Sequence, residues 1–400
     1  MVGELAALTM AQPSPHPYRS AVLLALVLIA NAAFAILVLG WVVYPYRAAR
    51  AAGSGAGVIS ARTAGVVETP ISVILATRES DDAILTRIED LRRGDYPTAL
   101  MDIVIALDAT RASGLNSLQE KLPAGTRAVH GAVAGKSAAL NAGVASATHE
   151  FLFFVDTAQS FEHDTISKLV SAVSRDGWGA MTATLAPTSG DALMDRYWSR
   201  ELAIRLGQAT RHSIICVTGC AYIMHRRFWR DMPAKLICDD LWSTYSVVIN
   251  GGRVGIVTDA RVSDPRRFTR DAEYARRLRT MTGMLQFVRW FPDVLSPRKN
   301  PMWTDFLLHK LTRPATPVLL LIGAFAAWAA IMMLSPLIAW ILLAIGVAMI
   351  ALVWLLAQLA PGQPGQKAKA LMFALRLLAM PLSAISRAAR SDWDVWKPHR

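Results

Sequence analysis

Two charged residues stand where the chain could bind a phosphorylated ligand. Lys136 opens a helix-like stretch, Gly135-Lys-Ser-Ala-Ala-Leu-Asn-Ala-Gly143, and Asp156 ends the apolar, strand-like run that begins at Glu150. The free N–H groups of a helix N-terminus favour anions. Ligands of open α/β sheets bind at the carboxyl ends of the strands. Lys136 and Asp156 are therefore predicted to meet a phosphorylated ligand and its metal ion.

Alternating strand-like and helix-like runs must position these two residues. Strand-like runs occupy 70–77, 101–108, 126–131, 150–156, 179–185, 215–224 and 253–259. Helix-like runs occupy 81–93, 114–121, 135–147, 190–210 and 240–250. This βαβ rhythm predicts an α/β domain with a mostly parallel sheet and helices on both faces.

The motifs resemble, in chain order, those of the family 2 glycosyltransferases of the GT-A fold. That family has Gly-Lys-x-x-Ala-Leu-Asn-x-Gly, then a strand ending in Asp-x-Asp, and later Glu-Asp before a helix, where this chain has Asp239-Asp240. The segment 286–290 matches the Gln-x-x-Arg-Trp motif of the membrane-embedded synthases, and 309–313 resembles their His-Lys-x-x-Arg. The resemblance covers residues 66–400. It implies a Rossmann-like GT-A domain and transfer of a sugar from a nucleotide-sugar donor, expected to be a UDP-sugar.

On the donor side, the resemblance implies that Thr77, Glu79 and Asp108 contact the base and ribose, with Lys136 close by. Asp156 is the expected ligand of Mg²⁺ or Mn²⁺, a hard cation that neutralises a leaving diphosphate. Asp108 and Asp156 could instead only cap the turns after their strands, as Asp often does.

On the acceptor side, a carboxylate is needed to take the proton of the attacking hydroxyl. Asp240 is the expected general base, and Asp239 is expected to cap the following helix. The resemblance implies that Gln286, Arg289 and Trp290 complete the catalytic set, with Arg289 adding positive charge and Trp290 offering the acceptor an aromatic face. Trp290 could alternatively anchor an amphipathic helix at the membrane surface.

The chain departs from the family at the metal motif. Where the family has Asp-x-Asp, this chain has Asp156-Thr-Ala158, so the second carboxylate is missing. A cation held by one protein carboxylate and substrate phosphates should bind well only together with the nucleotide. A weak dependence on Mg²⁺ or Mn²⁺ is therefore expected.

Composition indicates a membrane protein. Hydrophobic residues make up 53% and charged residues 18% of the chain, with a net charge of +12. A nucleic-acid-binding protein would carry this charge in a dense polar domain, so the excess charge is assigned to phospholipid headgroups and nucleotide phosphates. The cysteines Cys216, Cys220 and Cys238 lack partners at zinc spacing and are expected to be reduced packing residues.

Three segments, 21–44, 317–335 and 337–357, are apolar over the roughly 20 residues that a span needs. Arg47, Arg50 and Arg62 follow the first span, which predicts a cytosolic catalytic domain by the positive-inside rule. The stretch 367–386 carries charges and a proline, and it is expected to lie in the membrane interface.

These observations predict a segment order and two alternative functions. The predicted segments are a tail (1–20), a transmembrane helix (21–44), a linker (45–65), the GT-A domain (66–265), interfacial amphipathic helices (266–315), a transmembrane hairpin (316–358), and an interfacial helix with a cytosolic tail (359–400). The first function is an inverting transferase in the inner membrane that acts on a lipid-linked or growing glycan in cell-surface or exopolysaccharide synthesis. The second is a degenerate, non-catalytic subunit or scaffold of a polysaccharide synthesis and export complex. With either function, the protein could have partner proteins from polysaccharide export.

Overall fold

The computed structural model describes residues 17–52, 58–59, 69–111, 114–175, 177–186, 192–264, 270–360 and 362–393. These residues form two compact units. One comprises the described residues up to Leu39 together with Ala315–Ala379, and the other comprises Gly40–Pro314 and the described residues from Met380 onward.

The larger unit is built on a nine-stranded sheet. The strands are β1 (Val58–Ile59), β2 (Ile71–Thr77), β3 (Met101–Leu107), β4 (Thr126–His130), β5 (Phe151–Val155), β6 (Ser160–Phe161), β7 (Ala180–Ala186), β8 (Ala221–His225) and β9 (Val254–Ser263). Their order is β1-β9-β7-β8-β5-β2-β3-β4, with β6 on β9. Pairing is antiparallel at β5–β8, β7–β8 and β6–β9 and parallel elsewhere. The predicted α/β fold with a mostly parallel sheet is confirmed.

The described residues of the two units also form α-helices. They are α1 (Pro17–Val38), α2 (Tyr44–Ala51), α3 (Asp81–Arg92), α4 (Leu115–Gln119), α5 (Lys136–Ser146), α6 (Thr165–Val173), α7 (Ala192–Arg211), α8 (Asp239–Ile249), α9 (Arg270–Trp290), α10 (Trp303–Asp305), α11 (Thr312–Leu334), α12 (Pro336–Leu359) and α13 (Gly362–Ala389). Two π-helical turns, Leu39–Val43 and Phe306–Leu311, lie before α2 and α11.

The sheet has a hydrophobic cluster on each face, which explains why its central strands are continuous apolar runs. Every residue of β2 and of β5 is buried. Ile74 and Phe154 belong to the cluster that also contains residues of α5, α8 and α9. Val73 and Phe153 belong to the cluster that contains residues of α3 and α6. The register pairs Leu75 of β2 with Val155 of β5, so the carboxyl ends of these strands lie side by side.

Helix α9 packs its apolar face into the larger unit. Phe287 is fully buried and lies 5.5 Å, centroid to centroid, from the ring of Tyr245 on α8. Met284 and Phe291 belong to the same core cluster. A Cβ added to Gly283 would lie 2.6 Å from Ile237, so the helix approaches the segment before α8 very closely. The apolar residues of this helix, which was predicted to lie at the membrane interface, therefore belong largely to the core of the larger unit.

Among the described residues, four helices are long and apolar enough to cross a bilayer, namely Tyr18–Ala51, Trp303–Leu334, Pro336–Leu359 and Gly362–Ala389. The expected N-terminal membrane helix and C-terminal hairpin are among them. The fourth includes the stretch 367–386, whose placement in the interface stays a prediction.

The predicted linker at 45–65 needs correction. Helical structure continues through Ala51, and Val58–Ile59 pair in parallel with Ile256 and Val257 of β9. The remaining residues of that linker beyond Ala52 lie outside the described part of the chain. An Ala- and Gly-rich composition did not reveal that two residues would extend the edge of the sheet.

Candidate active site

Lys136 lies between two carboxylates that come from different elements. It is the first residue of α5, after Gly135, whose φ of 118° is a conformation that favours glycine. Its Nζ lies 3.0 Å from Oδ1 of Asp156, directly after β5, and 3.0 Å from Oδ2 of Asp239, at the start of α8. The predicted proximity of Lys136 and Asp156 is therefore present, and Asp239 joins them.

Lys136 is held in its charged form. Burial opposes the charge, but the carboxylates of Asp156 and Asp239 outweigh it and raise the pKa of Lys136 well above its usual value. An ammonium fixed at the N-terminus of α5 can attract a phosphate by its own charge and by the helix dipole.

The prediction that Asp239 caps α8 is wrong. The N-cap position belongs to Cys238, which makes no side-chain capping hydrogen bond, and Asp239 and Asp240 are the first two helical residues. Asp239 directs its carboxylate to Lys136 instead. Both carboxylates remain favourable at a helix N-terminus because the dipole is positive there.

Asp240 has a different environment from its neighbour. Its Oδ2 accepts a hydrogen bond from the Cys216 thiol at 3.1 Å, and its Oδ1 accepts one from the Leu241 backbone N–H at 2.9 Å. Burial and the charge of Asp239 raise the pKa of Asp240, while the Cys216 hydrogen bond and the charge of Lys310 oppose the rise. A carboxylate with a raised pKa is a better proton acceptor, as general-base catalysis requires.

The predicted nucleoside-side residues lie at the carboxyl ends of β2 and β3. Oδ2 of Asp108 accepts a hydrogen bond from the Gly135 N–H at 3.0 Å, and its Oδ1 accepts one from the Thr110 N–H at 2.9 Å. Asp108 thus caps its own turn and also holds the residue before Lys136. Oγ1 of Thr77 accepts hydrogen bonds from the Glu79 N–H and the Thr157 hydroxyl, and the Glu79 side chain is exposed.

Both polar atoms of the Gln286 side chain bind the backbone, and its assignment to the catalytic set stays a prediction. The side chain is fully buried. Its Oε1 accepts a hydrogen bond from the Ile237 N–H at 2.9 Å, and its Nε2 donates one to the Lys235 carbonyl at 3.0 Å. Lys235 has a φ of 63°, so the amide secures a turn in the left-handed region. These two hydrogen bonds tie Gln286 to the segment that leads into Asp239 and Asp240.

Arg289 and Trp290 face the end of the chain. Nη1 of Arg289 donates to the Ser391 hydroxyl at 2.9 Å, and the Trp290 ring packs edge-on against Trp393 at 5.9 Å between centroids. Within the described residues, neither side chain makes a hydrogen bond, ion pair or ring contact with Lys136. The structure therefore does not join these two predicted residues to the lysine–carboxylate cluster.

Two residues with positioning roles were missed by sequence reasoning. Asn141 of α5 accepts a hydrogen bond from the Met232 N–H and donates one to the Met232 carbonyl, both at 2.9 Å. Arg205 of α7 donates to the Cys216 carbonyl and to the Thr218 hydroxyl, both at 3.0 Å. Asn141 stands in the Gly-Lys motif, so its position was visible in the sequence. Nothing in the sequence indicated which segment it would hold.

The fold is that of the GT-A glycosyltransferases. Residues 69–283, more than half of the chain, match the family model described as glycosyltransferase-like family 2. The chain belongs to this family, and it is a glycosyltransferase. The family resemblance predicted from the motifs is confirmed.

A solved mannosyltransferase supports the fold. The mannosyltransferase PcManGT from Pyrobaculum calidifontis, in complex with GDP-Man and Mn²⁺, is 20% identical with a TM-score of 0.62, and the match covers 93% of this chain and 99% of that one. TarS 1-349 from S. aureus, in complex with UDP-GlcNAc, is 14% identical with a TM-score of 0.40, over 66% of this chain and 81% of that one. No curated protein sequence matches the chain significantly.

Proposed function

We propose that the protein is a membrane-bound inverting glycosyltransferase that transfers a sugar from a nucleotide-sugar, a UDP-sugar in the first instance, to a lipid-linked or growing glycan. The observation that carries the proposal is the cluster of Lys136, Asp156 and Asp239, with the Asp240 carboxylate on the next residue. A charged lysine and several carboxylates at one sheet edge match the needs of a diphosphate leaving group and of an acceptor proton.

On the donor side, Lys136 meets the diphosphate and Asp108 holds the loop that begins α5. The carboxyl edge of β2 and β3 then receives the nucleoside near Thr77. Asp156 offers oxygen, the donor type that Mg²⁺ and Mn²⁺ prefer, so the residues present fit such a cation. When bound, the cation supplies positive charge that neutralises the diphosphate as it leaves. The complex of PcManGT with GDP-Man and Mn²⁺ is consistent with this use of the fold.

On the acceptor side, Asp240 takes the proton of the attacking hydroxyl. The hydroxyl oxygen forms its bond to the anomeric carbon while the bond from that carbon to the diphosphate oxygen breaks. Attack on the face opposite the leaving group inverts the anomeric configuration. The raised pKa of Asp240 favours this proton transfer because an ordinary Asp is a weak base.

A membrane-borne acceptor is favoured by the position of Lys310. Its charge lowers the pKa of Asp240, which places the ammonium within electrostatic reach of the proposed base. Lys310 belongs to the π-helical turn directly before α11, inside a candidate membrane span. Among the described residues, its ammonium has no ion-pair partner. An anionic group on a lipid-linked acceptor would supply one. Arg47 and Arg50, after the first span, support a cytosolic site at the inner membrane.

The experiment is donor binding and turnover with the purified full-length protein in detergent or nanodiscs. Thermal unfolding is followed with UDP, GDP and their sugars, each with and without Mn²⁺, and nucleotide release from the donor is measured in the presence of membrane lipid extract. Protection by a nucleotide together with release that Asp240→Asn abolishes supports the proposal. Protection by GDP and not by UDP would mean that the donor is a GDP-sugar rather than a UDP-sugar. Absence of both binding and release would instead favour a non-catalytic subunit.

A further inference from the structure

We infer that Asp239 is the second carboxylate of the divalent-cation site and that Lys136 holds the cation position until nucleotide and metal arrive together. This inference rests on the proposed function, because it concerns the metal that accompanies a nucleotide-sugar donor. It assigns the metal role lost at Ala158 to a residue from a different element of the fold.

The first step is geometric. One Nζ lies 3.0 Å from Oδ1 of Asp156 and 3.0 Å from Oδ2 of Asp239, so the two oxygens can be no more than twice that distance apart. Ligand oxygens lie about 2.1 Å from Mg²⁺. A cation in place of the ammonium would therefore need only a modest approach of the two carboxylates. Ala158, the family's usual position for the second carboxylate, is exposed and has no oxygen to offer.

The second step concerns charge. Lys136 is only partly exposed, and its ammonium forms an ion pair with each of the two carboxylates. The ammonium and a divalent cation would use the same oxygens, so they exclude each other. Lysine is a point charge on a flexible four-carbon stem, and its position at the start of α5 lets the stem turn toward an anion at the helix N-terminus.

The third step joins the two ligands. Without nucleotide, a metal ion that displaced Lys136 would leave an ammonium without its counter-ions. With nucleotide bound, the diphosphate offers Lys136 a new partner and adds oxygen ligands to the cation. Metal affinity should therefore depend strongly on nucleotide, and the cause is competition by Lys136 as well as the small number of protein ligands.

Asp239 is held firmly enough for this role. The preceding segment is tied to Gln286 through Lys235 and Ile237 and to α5 through Met232. Its neighbour Asp240 directs its carboxylate to Cys216 and makes no ion pair with Lys136 among the described residues. Two adjacent aspartates with different contacts give a matched pair for an experiment.

The experiment titrates Mn²⁺ into the purified full-length protein and follows free Mn²⁺ by electron paramagnetic resonance, with and without UDP. Wild type should bind Mn²⁺ weakly alone and at least tenfold more tightly with UDP. Lys136→Met should bind Mn²⁺ without UDP at least tenfold more tightly than wild type, because the competing ammonium is gone. Asp239→Asn should lose at least tenfold in Mn²⁺ affinity with UDP, and Asp239→Glu should retain most of it.

Asp240→Asn is the control, since it removes the same charge one residue away, and its loss of Mn²⁺ affinity should be clearly smaller than that of Asp239→Asn because Asp240 directs its carboxylate to Cys216. Thermal unfolding of each variant checks that it is folded. Mn²⁺ binding by Asp239→Asn that equals wild type would overturn the inference, as would equal losses in the two Asn variants. A double variant, Lys136→Met with Asp239→Asn, must lose the gain seen in Lys136→Met. That arm needs no nucleotide, so it decides the inference even if UDP proves not to bind and the proposed donor fails.

Discussion

Replacing Gln286 tests whether this residue positions the site or touches the substrate. Gln286→Met keeps the volume of the side chain but removes both amide hydrogen bonds. The Ile237 N–H is left unpaired in a buried place, whereas Lys235 is exposed and its carbonyl can bind water instead. An unsatisfied buried polar group costs about 1–3 kcal/mol. The free energy of unfolding should therefore fall by about 1–3 kcal/mol, unless the segment 235–238 relaxes toward solvent.

Relaxation of that segment would displace Asp239 and Asp240, which follow it directly. We expect kcat for transfer to fall at least tenfold while KM for the donor changes less, because displacement of a base acts on the chemical step. Gln286→Glu keeps an oxygen for the Ile237 N–H and loses the donor to Lys235, so its loss should be intermediate.

Asn300 offers a matched control for this test. It is buried, its Oδ1 accepts from the Met302 N–H at 2.9 Å, and its Nδ2 donates to the Val294 carbonyl at 2.7 Å. Asn300→Leu should lower the unfolding temperature in the same way as Gln286→Met and leave kcat of the folded protein nearly unchanged. The assay pairs thermal unfolding with initial rates at a temperature where both variants are folded. A large loss of kcat in Gln286→Met without any loss of stability would refute the positioning role and indicate direct contact with substrate.

Four other predictions address the base, its pH dependence, the metal motif and the membrane topology. Asp240→Asn should lower turnover by about 10²–10⁴ while donor binding persists; unchanged turnover would remove Asp240 from the mechanism. Transfer requires ionised Asp240, so kcat/KM should fall as the pH drops through the raised pKa of Asp240. Lys310→Met should move this acid limb of the pH profile to higher pH, because the positive charge that lowers the pKa of Asp240 is lost. An acid limb that stays in place or moves to lower pH would contradict the assignment of Asp240 as the base. Ala158→Asp should strengthen Mn²⁺ binding in calorimetric titrations without nucleotide, by adding an oxygen ligand, and no gain would mean that position 158 lies away from the cation. Reporter fusions at Ser54 and at the C-terminus should both report cytosol; an external C-terminus would show that residues 367–386 cross the membrane.

The local pattern of the chain was enough to predict the elements that carry the donor side. The sequence of strand β5 is an unbroken apolar run because both faces of the strand are covered. Helix α5 begins directly after Gly135, whose positive φ favours glycine at that position. Asp156 is the residue directly after β5, and Lys136 is the first residue of α5. Once the ends of these two elements are predicted, both residues can be placed at the carboxyl edge of the sheet from the sequence alone.

The acceptor side depended on packing that no local pattern contains. Asp239 and Asp240 are the same residue type in adjacent positions, and successive residues of an α-helix point about 100° apart. Which of the two meets Lys136 follows from the residue at which α8 begins and from the rotation that its buried face imposes. Gln286 likewise belongs to a recognisable motif, but its burial arises only because α9 lies against the segment 235–238, far away in sequence. Sequence spacing identifies residues that act in one region, whereas the rotation and contact of packed helices decide which of them can touch a ligand.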